Sequence, residues 1–309
     1  MATATRARPA WTEAGGKPAW DREGRDWPNR AASRFLRAGG LGWHVQVAGD
    51  GPVLLLAHGT GAATHSWRTL LPLLARDFTV VAPDLPGHGF SQTPAGGQLS
   101  LPGMARALAT LLRALGIAPA LVAGHSAGAA ILARMCLDGL IEPRAVVALN
   151  GAMLPPQGAP MQLFAPLARL FAAVPLVPQV FAWRAANRAV VEQLLRETGS
   201  TLDPAGVELY ARLARCPGHI AGALGMMANW DLRPLQADLP GLAPPLMQVV
   251  GGQDRTVPPT EARRVAAVVP GARTVTQAGL GHLAHEERPA LAAQLIVDVA
   301  RTEGVLRSP

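Results

Sequence analysis

A serine hydroxyl becomes a useful nucleophile only when a neighbouring base takes its proton and a carboxylate steadies that base. This chain offers such residues in the order Ser, Asp, His. Ser126 lies in Gly124-His125-Ser126-Ala127-Gly128, between the apolar run Ala120–Ala123 and a helical pattern that starts at Ala127. The pattern G-x-S-x-G is common by chance. Its weight comes from the strand–turn–helix context, in which a sharp turn lifts the serine out of the chain and small neighbours let helix and strand approach. Gly124, Ala127 and Gly128 meet that need.

The chain has eight histidines from which a base could be drawn. His282, in Gly279-Leu280-Gly281-His282, falls in a loop after the last expected strand and before the last expected helix, and small residues precede it. His285, three residues on, is the rival and otherwise reads as a solvated loop histidine. The orienting carboxylate is expected at Asp254, directly after the run Leu246–Val250, at the carboxyl end of a strand. Asp231 and Asp238 precede that strand and are weaker choices. Acyl transfer also needs N–H donors aimed at the developing oxyanion. His58-Gly59-Thr60-Gly61 follows the run Val53–Ala57, so the backbone N–H of Thr60 is assigned with that of Ala127, and Gly61 could replace Thr60. His58 and the turn Asp84–Ser91 read as structural.

These residues need a scaffold that brings distant loops to one edge. Short apolar runs at Trp43–Val47, Val53–Ala57, Thr79–Pro83, Ala120–Ala123, Ala145–Leu149, Leu246–Val250 and Thr274–Gln277 read as strands. Several are continuous, as in parallel strands buried on both faces. Helical spacing marks Trp67–Arg76, Leu101–Leu115, Ala127–Leu137, Glu261–Val269 and Pro289–Val305. The alternation implies an α/β fold with a doubly wound, mostly parallel sheet. It fails only across residues 152–230, where Pro-broken apolar helices such as Met161–Phe171 and Ala189–Glu197 imply a helical cap inserted into a core of residues 35–151 and 231–309. Residues 1–34 form an N-terminal extension. Ligands of open α/β sheets bind at the strands' carboxyl ends, beneath such a cap. Phe164, Leu167, Phe171 and Trp183 are therefore the candidate substrate-binding residues, although the same side chains would also serve to pack cap helices together.

Composition removes other classes. Hydrophobic residues make up 49% and charged residues 16%, which excludes a disordered chain. The formal charge is +7 and Lys17 is the only lysine, but the arginines form no run and no nucleic-acid motif accompanies them. Cys136 and Cys216 are too few for a disulfide framework and lack metal-ligand spacing, so neither metal nor cofactor is expected. Residues 1–30 contain no apolar signal-peptide core. The apolar stretch Leu163–Trp183 carries Arg169, Pro166, Pro175 and Pro178, too many breakers for a spanning helix. The expected setting is cytoplasmic. Trp11, Trp20, Trp27 and the apolar cap suggest peripheral membrane contact, and the alternative is an N-terminal arm packed on the core.

From about residue 35 onward the chain resembles the α/β-hydrolase superfamily. Five landmarks agree in order: HGTG (58–61), DLPGHGFS (84–91), GHSAG (124–128), GGQDRTVP (251–258) and GLGHLAHEERP (279–289). The last matches the G-H-x4-E-x-P tail usual around the base, which strengthens His282. Serine at 126 separates the chain from the dehalogenase and epoxide hydrolase branches, which use aspartate. A narrower resemblance, to the magnesium-chelatase accessory proteins of bacteriochlorophyll biosynthesis, rests on WDREGRDWPNRAASRF (20–35), GGLGWHVQ (39–46) and HGTGAATHSWR (58–68). It implies a tetrapyrrole as the bulky hydrophobic substrate or ligand, and contact with magnesium chelatase. Two functions follow as expectations: a serine hydrolase of ester or related acyl bonds, or a non-catalytic accessory protein that holds a porphyrin on a hydrolase scaffold. For the second, His65, His219 and Met226 are the side chains that could approach a metalloporphyrin.

Overall fold

The computed structural model describes residue 11 and residues 14–94, 96–156, 174 and 176–307. Eight strands form one sheet in the order β1-β2-β4-β3-β5-β6-β7-β8. They are β1 (Ser33–Ala38), β2 (Leu41–Ala48), β3 (Val53–Ala57), β4 (Thr79–Pro83), β5 (Leu121–His125), β6 (Val146–Leu149), β7 (Leu246–Gly251) and β8 (Arg273–Gln277). β1 and β2 pair antiparallel, β2 joins β4 antiparallel, and every pairing from β4 to β8 is parallel.

The apolar runs form central strands because both of their faces are covered. Along β3, Leu54 and Leu56 enter one core cluster, while Leu55 and Ala57 enter the cluster on the opposite face. Val146 and Ala148 of β6 alternate with Val147 and Leu149 in the same way. One face is covered by α3 (Leu101–Leu115) and α4 (Ala127–Leu137), the other by α2 (Leu70–Leu74) and α12 (Pro289–Thr302). Local signals delimit these helices. Ser100 caps α3 by accepting a hydrogen bond from Gly103 N–H at 3.4 Å, Pro102 occupies the first turn, and Gly116 ends the helix in the left-handed conformation.

β1 escapes the hydrophobic pattern because it is an edge strand, with Arg34 exposed beside buried Phe35 and Leu36. It is joined to β2 through Gly39 and Gly40, both at positive φ (58° and 77°). A two-residue Gly-Gly link of this kind is the hairpin signal that marks the strand.

Between β6 and β7 the described residues contain helices and no strand: α5 (Val177–Arg184), α6 (Arg188–Glu197), α7 (Pro204–Ala214), α8 (Pro217–Ala228) and α9 (Arg233–Asp238). α6 coincides with the expected Ala189–Glu197 helix. The expected Met161–Phe171 helix lies outside the described residues. After β7 come α10 (Pro259–Val268) and, before α12, the short α11 (Ala284–Glu287).

The segment ahead of β1, with α1 at Trp20–Glu23, packs into the fold. Trp20 meets Phe35 and Phe90 edge-on at 5.1 and 4.8 Å, and Trp27 Nε1 donates to Thr64 Oγ1 at 3.0 Å. Both indoles are buried. They are therefore not displayed for membrane insertion, and the packed-arm alternative describes these two residues.

Candidate active site

Ser126 lies between the last residue of β5 and the first of α4. Its backbone is at φ 53°, ψ −119°, a conformation that few non-glycine residues adopt and that must be imposed by surrounding structure. That structure is visible. Ser126 N–H donates to Leu149 O at 3.0 Å, and Ser126 O accepts from Ala129 N–H and Ala152 N–H at 3.1 and 3.0 Å. The glycines of the motif make way for the turn. A Cβ on Gly124 would sit 2.5 Å from Ala129 N, and one on Gly128 would sit 2.0 Å from Ala57 O. Gly59 lies against the turn, where a Cβ would be 3.0 Å from Ser126 Cβ.

Parallel pairing sets β5, β6 and β7 in register, so the loops after them emerge at one edge. Asp254, in the turn after β7, is buried and all its acceptor positions are used. Its Oδ1 accepts from Thr256 N–H and Val257 N–H, each at 2.8 Å. Its Oδ2 accepts from His282 Nδ1 and from Asn150 Nδ2, each at 2.8 Å. Since the carboxylate oxygen accepts, Nδ1 of His282 carries the proton and Nε2 keeps its lone pair, the tautomer a general base needs. Among the described residues no hydrogen bond joins Ser126 Oγ to His282 Nε2. The two residues are nevertheless neighbours, because His125, immediately before Ser126, donates from Nε2 to His282 O at 3.0 Å.

His285 is placed elsewhere. It is fully buried, its Nε2 meets Ser66 Oγ at 2.9 Å, and burial pushes its imidazole down to about 3. Asp231 is engaged with Arg233 at the surface, and Asp238 with Arg134. The aspartate brought to His282 is Asp254.

Thr60 follows Gly59 in the loop after β3, and Ala127 follows the serine at the start of α4. Among the described residues, the backbone N–H of each donates to no protein acceptor. Ala127 is also the first residue of an eleven-residue helix, whose N-terminal partial charge favours an anion. His58 is structural: its Nδ1 donates to Gly59 O at 2.8 Å and its Nε2 accepts from Leu85 N–H at 2.9 Å. Asp84 is structural too, accepting from His44 Nδ1, Thr64 N–H and Phe90 N–H. Burial alone would raise its pKa, but the His44 imidazole and these bonds hold it well below the usual carboxylate range.

The sequence reading missed three supports. Asn150 sits at φ 48° after β6 and donates from Nδ2 both to Asp254 Oδ2 and to Gly281 O, the latter at 3.2 Å. Its signal was the Asn150-Gly151 pair, a turn dipeptide at the end of a central strand. Glu287 accepts from Gly281 N–H at 2.9 Å and Thr201 N–H at 3.1 Å, bracing the histidine loop. Ser200, between α6 and α7, accepts from Leu283 N–H at 2.8 Å. No local motif marks that serine, since its role exists only once the α6–α7 connection lies beside the histidine loop.

Of the proposed substrate contacts, Phe164, Leu167 and Phe171 lie outside the described residues. Trp183 is 76% exposed on α5, a surface position rather than an enclosed one. His65, His219 and Met226 are buried inward, and both ring nitrogens of His219 are engaged by backbone groups. These three cannot reach a metalloporphyrin without rearrangement of the core. Two surface clefts of about 470 and 430 Å3 open elsewhere, one beside Arg144 and Pro245 at the strands' amino ends, the other between α3 and α9.

Comparison with known proteins agrees with the topology. The model of the α/β hydrolase fold family matches residues 52–289. The magnesium-chelatase 30 kDa subunit of Rhodobacter capsulatus is 41% identical over 263 residues, covering 84% of this chain and 92% of that protein. The pyrrolizixenacetamide deacetylase of Xenorhabdus hominickii is 27% identical over 257 residues, 79% of this chain and 88% of its own. Among solved structures, an α/β hydrolase fold protein from Burkholderia ambifaria superposes with a TM-score of 0.73 at 25% identity, over 85% of this chain and 96% of that one. The chain belongs to the α/β-hydrolase fold family and, within it, to the group that includes the magnesium-chelatase 30 kDa subunit.

Proposed function

We propose that the protein is a serine hydrolase that cleaves an ester or related acyl bond in a bulky hydrophobic substrate. The observation that carries this reading is the buried Asp254–His282 pair, with the Nδ1 proton held by a carboxylate that backbone N–H groups anchor, beside a serine on a strained turn. His282 Nε2 takes the proton of Ser126 as Oγ attacks the acyl carbon. The negative charge then on the carbonyl oxygen is received by the N–H groups of Thr60 and Ala127. As the tetrahedral intermediate collapses, His282 gives its proton to the leaving alcohol, and the acyl group stays on Ser126. Water, deprotonated by His282, repeats the sequence and releases the acid. Asp254 steadies the imidazolium in both halves. Segment 152–230 acts as the cap over this edge.

The kinship with a protein named for magnesium chelatase supports a tetrapyrrole as the substrate and a working contact with that enzyme. It also supports a second reading, an accessory protein that holds a porphyrin without cleaving it. Fluorophosphonate labelling of the purified protein, read by mass spectrometry, separates the two. Stoichiometric modification of Ser126 that Ser126→Ala abolishes is expected. A folded wild-type protein that stays unlabelled refutes the hydrolase reading and leaves the accessory one.

A further inference from the structure

The loop that presents Thr60 is not held by its own strand alone. Gly59-Thr60-Gly61-Ala62 is a tight turn in which Ala62 N–H donates to Gly59 O at 3.2 Å and Gly61 takes φ +77°, the geometry of a type II turn. His58 Nδ1 adds a second bond to Gly59 O. The far end of the turn is held by the inserted helix α8. His219 donates from Nε2 to Gly61 O at 3.1 Å, while its Nδ1 accepts from Gly89 N–H at 3.0 Å. The same helix receives the Thr60 hydroxyl at Met226 Sδ, 3.5 Å away.

His219 therefore joins two loops that carry separate motifs, HGTG and DLPGHGFS, through one buried ring. Its orientation leaves no ambiguity of tautomer, because an N–H faces Nδ1 and a carbonyl faces Nε2. Helix α8 can come this close because it carries glycine where it meets the second loop: a Cβ on Gly222 would lie 1.9 Å from Gly87 O. Burial keeps the ring neutral, with its pKa lowered to about 3.

The consequence concerns the direction of an N–H. Within one planar trans peptide the Gly59 carbonyl and the Thr60 N–H point opposite ways, so the turn that fixes the first fixes the second. Gly61 is the weak point of that turn, since glycine crosses between backbone conformations at little cost. A carbonyl tied to His219 removes that freedom. We propose that His219 is a positioning residue: it clamps Gly61 O so that the Thr60 N–H stays aimed at the oxyanion beside Ser126. The proposal rests on the reading of Ser126 as a nucleophile.

Two variants separate the clamp from simple packing. His219→Asn keeps an acceptor near Gly89 N–H but is too short to reach Gly61 O. His219→Gln extends an amide N–H to the position of Nε2. Both are compared with wild type in the rate of fluorophosphonate labelling and in affinity for phenylboronic acid, which forms a tetrahedral anion on the serine. Displacing an oxyanion donor without removing it is expected to slow labelling about 10- to 100-fold in His219→Asn and to weaken boronate binding in parallel. His219→Gln is expected to recover most of both. Wild-type rates in a folded His219→Asn variant, or equal losses in the Asn and Gln variants, overturn the clamp. A wild-type protein that does not label at all refutes the nucleophile reading instead, and the clamp falls with it.

Discussion

Replacing Asp254 by asparagine tests the site at its most constrained atom. The Oδ1 position faces two backbone N–H donors, from Thr256 and Val257, each at 2.8 Å, so the amide oxygen of the new residue must take that place. Its NH2 group is then forced toward His282 Nδ1 and Asn150 Nδ2, where the wild-type Oδ2 accepted two hydrogen bonds. Facing a donor, His282 must offer a lone pair at Nδ1 and carry its proton on Nε2, which leaves nothing to accept the proton of Ser126. The same tautomer reversal in a serine protease lowers kcat about 10,000-fold, equivalent to roughly 5.4 kcal/mol of transition-state stabilisation. A loss of that order in the rate of fluorophosphonate labelling is expected here. The Asn150 amide, now opposed by another donor, adds a stability cost of about 1–3 kcal/mol, to be read from urea unfolding. Both effects should appear together, since both follow from one amide orientation. Asp254→Asn labelling within tenfold of wild type in a folded protein would refute the assignment of the carboxylate and the tautomer argument with it.

Acid should unfold this protein early. Burial lowers the pKa of His58, His65, His88, His125, His219 and His285, so the folded state keeps these rings neutral where the unfolded chain would protonate them. Their stability contribution is complete above the ordinary imidazole value near 6.5 and is lost as pH falls below it, for His219 and His285 down to about 3. Asp84 acts in the same sense at lower pH, while Glu286, whose carboxyl burial pushes up, acts in the opposite one. Uptake of even two protons on unfolding costs about 2.7 kcal/mol per pH unit, so the urea midpoint should drop markedly between pH 7 and pH 5. A constant midpoint over that interval would contradict the burial of these rings. If the protein contacts a membrane surface, α5 is the face expected to do so: Leu176 (69% exposed), Val180 (52%), Phe181 (43%) and Trp183 (76%) lie on or beside it, followed by Arg184. Flotation with phosphatidylglycerol vesicles should then recover wild type and lose the Phe181→Ser/Trp183→Ser variant. Equal recovery of the two would assign the contact elsewhere.

The sequence by itself determined the central sheet, because strands buried on both faces must be written as continuous apolar runs, and Val53–Ala57 and Ala145–Leu149 are such runs. It also marked the places where backbone geometry is extreme. The glycines around Ser126 are required by contacts as close as 2.0 Å, and that requirement is local enough to appear as a motif. Asp254 and His282 were legible because each follows a strand in a chain whose parallel topology sends such loops to one edge.

The edge strand β1 was less legible. Exposed Arg34 and Arg37 break the apolar pattern, and only Gly39-Gly40 announced the hairpin. The small residues before His282 favoured it over His285, but only the tertiary structure showed where the rival goes. His282 and His285 stand three residues apart, and one turn of helix α11 directs His285 toward Ser66 and away from Asp254. Tertiary structure alone decided the roles of Ser200 and His219. Each comes from the stretch between β6 and β7 and bonds a loop remote in sequence, Leu283 N–H in one case and Gly61 O in the other. A hydrogen bond between residues 83 or 158 positions apart leaves no periodicity in the chain, because what specifies it is how two finished elements pack rather than the residue order within either.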